Sequence, residues 1–239
     1  MAIPKIAVPH FKLTLPSNQK QITYRPFLVK EEKMLLMARE AADEESIMIA
    51  TEDIIKSCVE DDLDLKELPF FDLEYLFLNI RAKSIGEEIE LRYRHNGGKN
   101  RNGDECDAST PVVINVEDVE VKFSDDHTDK IMLTDTIGVK MKYPTTKDFA
   151  VIMRDAQNDT VSVIVDCIEY LFDDQQIYDD TTTTHEELTE FVENLNKEQL
   201  LKINEFFRTM PTLEHKVKYQ CEKCGQEDEI TLRGIVDFF

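Results

Sequence analysis

The chain has 239 residues, 41% of them hydrophobic and 32% charged, which is enough apolar material for one large domain or two small ones with their own cores. Its 49 aspartates and glutamates against 28 lysines and arginines give a formal charge of −21, which repels phosphate backbones and anionic lipid surfaces and argues against nucleic acid and membrane as partners. No run approaches the ~18 uninterrupted apolar residues of a membrane span, and the opening MAIPKIAVPHFKLTL lacks the charged-then-apolar order of a signal peptide, so the expectation is a soluble, cytoplasmic protein.

The first expected element is a β-hairpin in KLTLPSNQKQITYRPFLVKEE, residues 12–32, where two alternating stretches flank a turn and the second ends before proline. It aligns without gaps on KIMLTDTIGVKMKYPTTKDFA, residues 130–150, with Lys12 on Lys130, Leu15 on Leu133 and Pro26 on Pro144. This correspondence reads as an internal duplication.

Helical periodicity follows each hairpin. In the first copy, KEEKMLLMAREA sets Met34, Leu35, Met37 and Ala38 on one side, and DEESIMIATEDIIKSCVED continues through Ile47, Ile54, Ile55 and Cys58. The second copy answers with TKDFAVIMRDA and with DTVSVIVDCIEYLF, read as helix, which puts Cys167 in a place like that of Cys58. Both cysteines sit on apolar faces without a neighbouring histidine or cationic cluster, and read as small core residues, not reactive thiols. A further helix is expected in FFDLEYLFLNIRAKSIG, with Asp72 as N-cap and Gly86 as stop, and another in TTTTHEELTEFVENLNKEQLLKINEFFRTMP, with Thr184 and Glu187 as a capping box and Pro211 as the end.

Each copy closes on a second hairpin, EIELRYRHN…PVVINVEDVEV in the first and EHKVKYQCEKCGQEDEITLRGIVDF in the second. The expected architecture is therefore α+β, with two related lobes of hairpin, helices, hairpin: residues 1–125, and residues 126–239 carrying the terminal Cys-x-x-Cys hairpin, joined near FSDDHTDK.

Five cysteines at this length make no disulfide framework, so reduced or metal-bound thiols are expected. Cys221 and Cys224, two residues apart at a hairpin tip, form half of a zinc knuckle, and tetrahedral zinc takes four ligands. If the two terminal hairpins are equivalent, the tip RHNGGKNRNGDECDAS supplies the other half through His95 and Cys106. A Cys3His set is that of a structural zinc site, with no open position for water. Asp104 and Asp107 are alternatives, His215 is a substitute ligand, and a reduced turn without metal is the rival reading. A redox role fits less well, because a redox Cys-x-x-Cys opens a helix, whereas this pair lies between strands.

Other candidates for chemistry are thin. His10, His127 and His185 stand in polar or isolated contexts and read as surface residues. Paired aspartates such as Asp61 and Asp62 arise by chance among so many acids, and no P-loop, dinucleotide glycine pattern or nucleophile elbow is present. The expectation is a protein that is not an enzyme. The apolar stretches Pro26 to Val29 and Pro69 to Phe71 read either as core or as a partner surface.

LTLPSNQKQITYRPFLVKEEKMLLMA, LPFFDLEYLFLNIRAKSIGE, FFRTMP and the terminal GIVDFF resemble the baseplate hub subunit family of T-even-type contractile-tailed phages, whose members are also described as baseplate hub assembly chaperones or catalysts. The resemblance covers nearly the whole chain, and its motifs are not catalytic. It implies a non-enzymatic structural or assembly role, other phage baseplate hub and tail proteins as partners, and a location in the host cytoplasm during assembly or in the baseplate of the virion tail. It supplies no site pattern, so zinc at Cys221, Cys224, His95 and Cys106 rests on this sequence alone. The alternative is a regulatory or nucleic-acid-binding zinc-ribbon protein, which the acidic charge opposes.

Overall fold

Phe11–Thr14 (β1) pairs antiparallel with Gln21–Tyr24 (β2), from Phe11 opposite Tyr24 to Thr14 opposite Gln21, so the first hairpin stands where the alternation places it. It belongs to a computed structural model that describes residues 6–41, 44–94, 103, 106, 108–148 and 160–238. The helices Val29–Ala41 (α1), Glu44–Cys58 (α2) and Phe70–Ile85 (α3) follow, then the strands Glu88–Tyr93 (β3), Thr110–Asn115 (β4) and Glu120–Lys122 (β5). Next come Lys130–Met132 (β6), Gly138–Met141 (β7), helix Thr160–Asp166 (α4), and strands Ile168–Phe172 (β8) and Ile177–Tyr178 (β9). Helices His185–Glu193 (α5) and Lys197–Thr209 (α6) lead to the long terminal hairpin of Thr212–Gln220 (β10) and Glu227–Arg233 (β11). The fold is α+β.

Two compact units form, and neither is a half of the chain. The first comprises residues 1–63, 71–122 and 212–239; the second comprises 64–70 and 123–211. This differs from lobes of 1–125 and 126–239, because β10 pairs with β5 from Thr212 opposite Lys122 to Glu214 opposite Glu120, which ties the terminal hairpin to the first unit. Leu213, Leu232 and Phe238 join Leu78, Ile89, Val112 and Ile114 in one core, burying apolar area that stabilises at about 25 cal/mol per Å².

In the first unit, α1 turns Leu35 and Ala38 inward, while Met34, Leu36 and Met37 are exposed. The sequence reading put Met34 and Met37 on the buried side. At 100° per residue, however, five consecutive apolar positions wrap too far around a helix for all to face one core. Glu31 is buried and paired: it accepts from the Leu28 N–H at 2.8 Å, capping α1, and from Arg25 Nη2 at 2.9 Å. Asp72 is not the N-cap of α3. It lies in the first turn, buried, and accepts from the Ser17 N–H at 3.1 Å and from the Ser17 hydroxyl. Gly86 does stop α3: its φ of 115° is open to glycine, and its N–H reaches Ala82 O at 3.1 Å. The strand expected to run through residue 121 breaks after Asn115, which caps a 3-10 turn at Val116–Asp118 before β5.

In the second unit β6, β7, β8 and β9 form an antiparallel sheet in that order. Ile168–Phe172, read from sequence as the end of a helix, is a strand, as its β-branched and aromatic residues permit. A Cβ on Gly138 would lie 2.1 Å from the Phe172 ring, so the sheet packs that ring where only glycine fits. The Thr184/Glu187 capping box forms as expected. The long helical stretch nevertheless splits, because Asn196 and Gln199 make a second capping box that opens α6. Val192, Ile203 and Phe206 from these helices pack with Val139, Ile164 and Cys167.

The two aligned hairpins do share contacts. Arg25 donates its N–H to Cys58 O at 3.0 Å, and Lys142 donates to Cys167 O at 2.8 Å. After each hairpin a carboxylate three residues on accepts a backbone N–H, Leu28 N–H to Glu31 and Thr145 N–H to Asp148 at 2.7 Å. The likeness stops there. Cys58 is followed by one bridging residue, Val59, opposite Tyr24, and Cys167 by the whole of β8, so a module copied through both halves is not what the paths display.

Candidate metal centre

The hairpin β3–β4 and the hairpin β10–β11 lie side by side in the first unit, with Tyr93 and Tyr219 rings 6.4 Å apart and Val217 and Ile230 against the shared core. The end of β10 and the residues before β4 therefore lie together. At the β10–β11 tip the Cys221 N–H donates to Gln226 O at 2.8 Å and the Gly225 N–H to Cys221 O at 2.8 Å, with Gly225 at φ 74°, a turn that glycine allows. This tight turn brings Cys221 and Cys224 together, and Cys106, four residues before β4, reaches them from the other tip.

The three thiol sulfurs lie within 4.8 Å of one another, and Cys106 Sγ is 3.8 Å from Cys221 Sγ. With Zn–S bonds of about 2.3 Å, the edge of a tetrahedron is ~3.8 Å, so the spacing suits a common ion. None of the three is in a disulfide, and Cys221 is buried. The N–H groups of Cys224 and Lys223 point at Cys221 and, with the Thr110 hydroxyl and the Cys224 side chain, draw its pKa down to about 6 against the opposing effect of desolvation. Cys224 is the reverse: the Gln226 N–H lowers its pKa, but desolvation and the neighbouring Cys221 and Cys106 raise it overall. Thr110 is 3% exposed, and its buried hydroxyl makes no hydrogen bond among the described residues, which leaves it available to donate to a Cys221 thiolate. A hydroxyl aimed at a thiolate orients a ligand without binding the ion, and no pattern in the sequence marked it.

Of the four proposed ligands the structure brings Cys106, Cys221 and Cys224 together, and these can hold a metal ion. His95, Asp104 and Asp107 lie outside the described residues. His215 is in β10 opposite Leu232, six positions from the tip cysteine. The remaining cysteines are core residues as expected. Burial raises Cys58 to about 11 and Cys167 to about 12, far from thiolate at neutral pH. His127 is not the simple surface residue read from its polar neighbours. It stacks 5.5 Å from Tyr143 and 5.1 Å from Phe206, with Nδ1 3.0 Å from Thr209 Oγ1, and burial lowers its pKa. His10 and His185 are exposed and face Glu60 and Asp166.

Among the described residues no helix is long and apolar enough to cross a membrane. Fold and site together define an acidic α+β protein with one cluster among those residues that could hold a metal ion, formed by Cys106 with Cys221 and Cys224 of the β10–β11 turn. Residues 8–239 match the family described as T4 bacteriophage base plate protein, and the chain belongs to that family. It is also 23% identical, over 234 residues covering 96% of this chain and 97% of the relative, to the baseplate hub assembly protein gp26 of Enterobacteria phage T4. No solved structure matches it.

Proposed function

We propose that this protein takes part in assembling the baseplate hub of a contractile phage tail, by binding other baseplate proteins and without catalysing a reaction. The observation that carries this reading is the relative's name as a baseplate hub assembly protein, matched nearly end to end. An acidic chain without a recognisable catalytic motif is consistent with it, and such a charge opposes the alternative of a nucleic-acid-binding zinc ribbon. Assembly would take place in the host cytoplasm, with the protein either leaving or remaining in the virion baseplate.

In the same reading Cys106, Cys221 and Cys224 hold zinc, with His95 as fourth ligand. The ion would supply no reaction: three thiolates and an imidazole fill the coordination sphere and pin one hairpin tip to the other. Affinity purification of tagged protein from infected cells tests the role. Recovery of hub or tail proteins supports it, and recovery of DNA or RNA that is lost with salt, in their place, overturns it.

A further inference from the structure

Beside α1 runs a groove of about 190 Å³, lined by none of the three thiols. It is smaller than the roughly 300 Å³ at which small-molecule pockets begin, so it suits one or two anchoring side chains of a larger partner. Its floor is apolar, built from the buried Phe27, Leu35, Ile89 and Phe238. On its lip Leu36 is 54% exposed and Ile85 50%, and Val29, two turns before Leu36 on the same face of α1, is 80% exposed. Leucines scattered singly on a surface need no explanation, whereas an apolar strip leading into a groove marks a contact site.

Two observations say what fits there. Four consecutive residues of β3, Glu88, Ile89, Glu90 and Leu91, line the groove. Neighbouring side chains in a strand point to opposite faces, so a run of four can border one groove only where the strand presents its backbone edge. That edge is free among the described residues, because β3 pairs with β4 alone. An open edge is a template for another strand. The second observation is charge: Glu32, Glu88 and Glu90 rim the groove and are exposed, against a single lining cation, Arg81.

We propose that this groove takes up an extended segment of another baseplate protein, which adds to the free edge of β3 and sets apolar side chains into the groove between lysines or arginines. The proposal rests on the assembly reading above and names the surface and the partner chemistry. Backbone pairing supplies register, the floor supplies specificity for apolar anchors, and the carboxylate rim selects cationic flanks and rejects acidic ones.

The test uses the full chain and a labelled short peptide in which valine and isoleucine alternate with lysine, titrated by fluorescence anisotropy. Saturable binding is expected, weakened about tenfold by Leu36→Asp, by Glu88→Lys with Glu90→Lys, or by methylating alternate peptide nitrogens. Leu36 is half exposed, so its variant keeps the wild-type melting temperature, which is checked in parallel. Equal binding of a peptide with glutamate in place of lysine, or indifference to N-methylation or to Leu36→Asp, overturns the proposal. Purification from infected cells separates this proposal from the broader reading. Baseplate proteins held by wild type and lost with Leu36→Asp support the groove. Proteins held equally by both overturn the groove and leave the assembly role standing, and proteins held by neither overturn both.

Discussion

Cys58 and Cys167 on one side, and Cys221 on the other, are the same residue under opposite instructions. The first two end helices in apolar surroundings, where burial favours the neutral thiol and lifts its pKa to about 11, even against Arg25 beside Cys58, and about 12. Cys221 has little exposed surface, 1%, but it lies in a hairpin turn and not deep in a core, and two backbone N–H groups, the Thr110 hydroxyl and the Cys224 side chain bring its pKa to about 6. Low exposure alone therefore does not decide what a cysteine does here. Depth in a core raises the first two, and the backbone donors of a hairpin turn lower the third.

The largest effect should come from removing the ion that the tip cysteines are suited to hold. Purified wild type should carry one zinc per chain by elemental analysis, and Cys224→Ser or Cys221→Ser should carry none. With free zinc about 1,000-fold above its dissociation constant, binding adds roughly 4 kcal/mol, so a chelator should lower the wild-type melting temperature and leave the variants unmoved. The same substitution at Cys58 should leave zinc content intact. Metal-free wild type, prepared without chelator, would erase the contrast.

How far this contrast was readable beforehand depended on distance along the chain. Period-2 alternation located the hairpins β1–β2, β3–β4, β6–β7 and β10–β11 but not β8–β9, and the capping box at Thr184 and the stop at Gly86 were legible because their chemistry spans three or four residues. Asn196 and Gln199 obey the same rule, so the break between α5 and α6 was legible too, but a continuous apolar period across it hid the signal. Ile168–Phe172 is a short apolar run directly behind a helix, the case in which periodicity cannot separate helix from strand. The thiols of the tip were found from spacing, while their meeting depended on pairing of β10 with β5, which no local pattern encodes. That pairing also moved the terminal hairpin out of the lobe to which chain order assigned it. His127 was obscured in the same way, since Tyr143 and Phe206 reach it from distant segments.

Glu74 carries the comparison to a carboxylate. It is buried in α3, accepts one hydrogen bond, from the Ile235 N–H at 2.8 Å, and desolvation outweighs that bond and raises its pKa to about 7. A carboxyl group whose folded pKa lies above its unfolded value favours the protonated folded state. Its unfavourable contribution is absent below the unfolded pKa, near 4.5, grows as pH rises toward 7, and is complete above it. Glu74→Gln keeps the acceptor and removes the charge, so it should stabilise the protein above pH 7 by about 3 kcal/mol and change little at pH 4.5. Denaturant melts across that range check the sign; a variant less stable than wild type at pH 8 would contradict it. Serine substitution gives a smaller effect of opposite direction. Cys167→Ser buries a hydroxyl among Ile164, Val139 and Phe206 and should cost about 2 kcal/mol, whereas Cys58→Ser, with Arg25 Nη1 3.6 Å from the sulfur position, should cost about 1 kcal/mol.

The smallest effect isolates the donor itself. Thr110→Val keeps the shape of a side chain that is 3% exposed and removes only its hydroxyl, so the β3–β4 hairpin should fold and melt almost as wild type. The Cys221 sulfur then loses one of the groups that favour the thiolate and hold it in place. Losing an outer hydrogen bond of this kind typically weakens a metal site about tenfold, which competition against a chelating dye measures directly. Thr110→Ser should restore the affinity, because it returns the hydroxyl without the methyl group. If valine and serine at this position bind zinc equally well, the hydroxyl is only filling space, and the low pKa of Cys221 must come from the turn's backbone N–H groups alone.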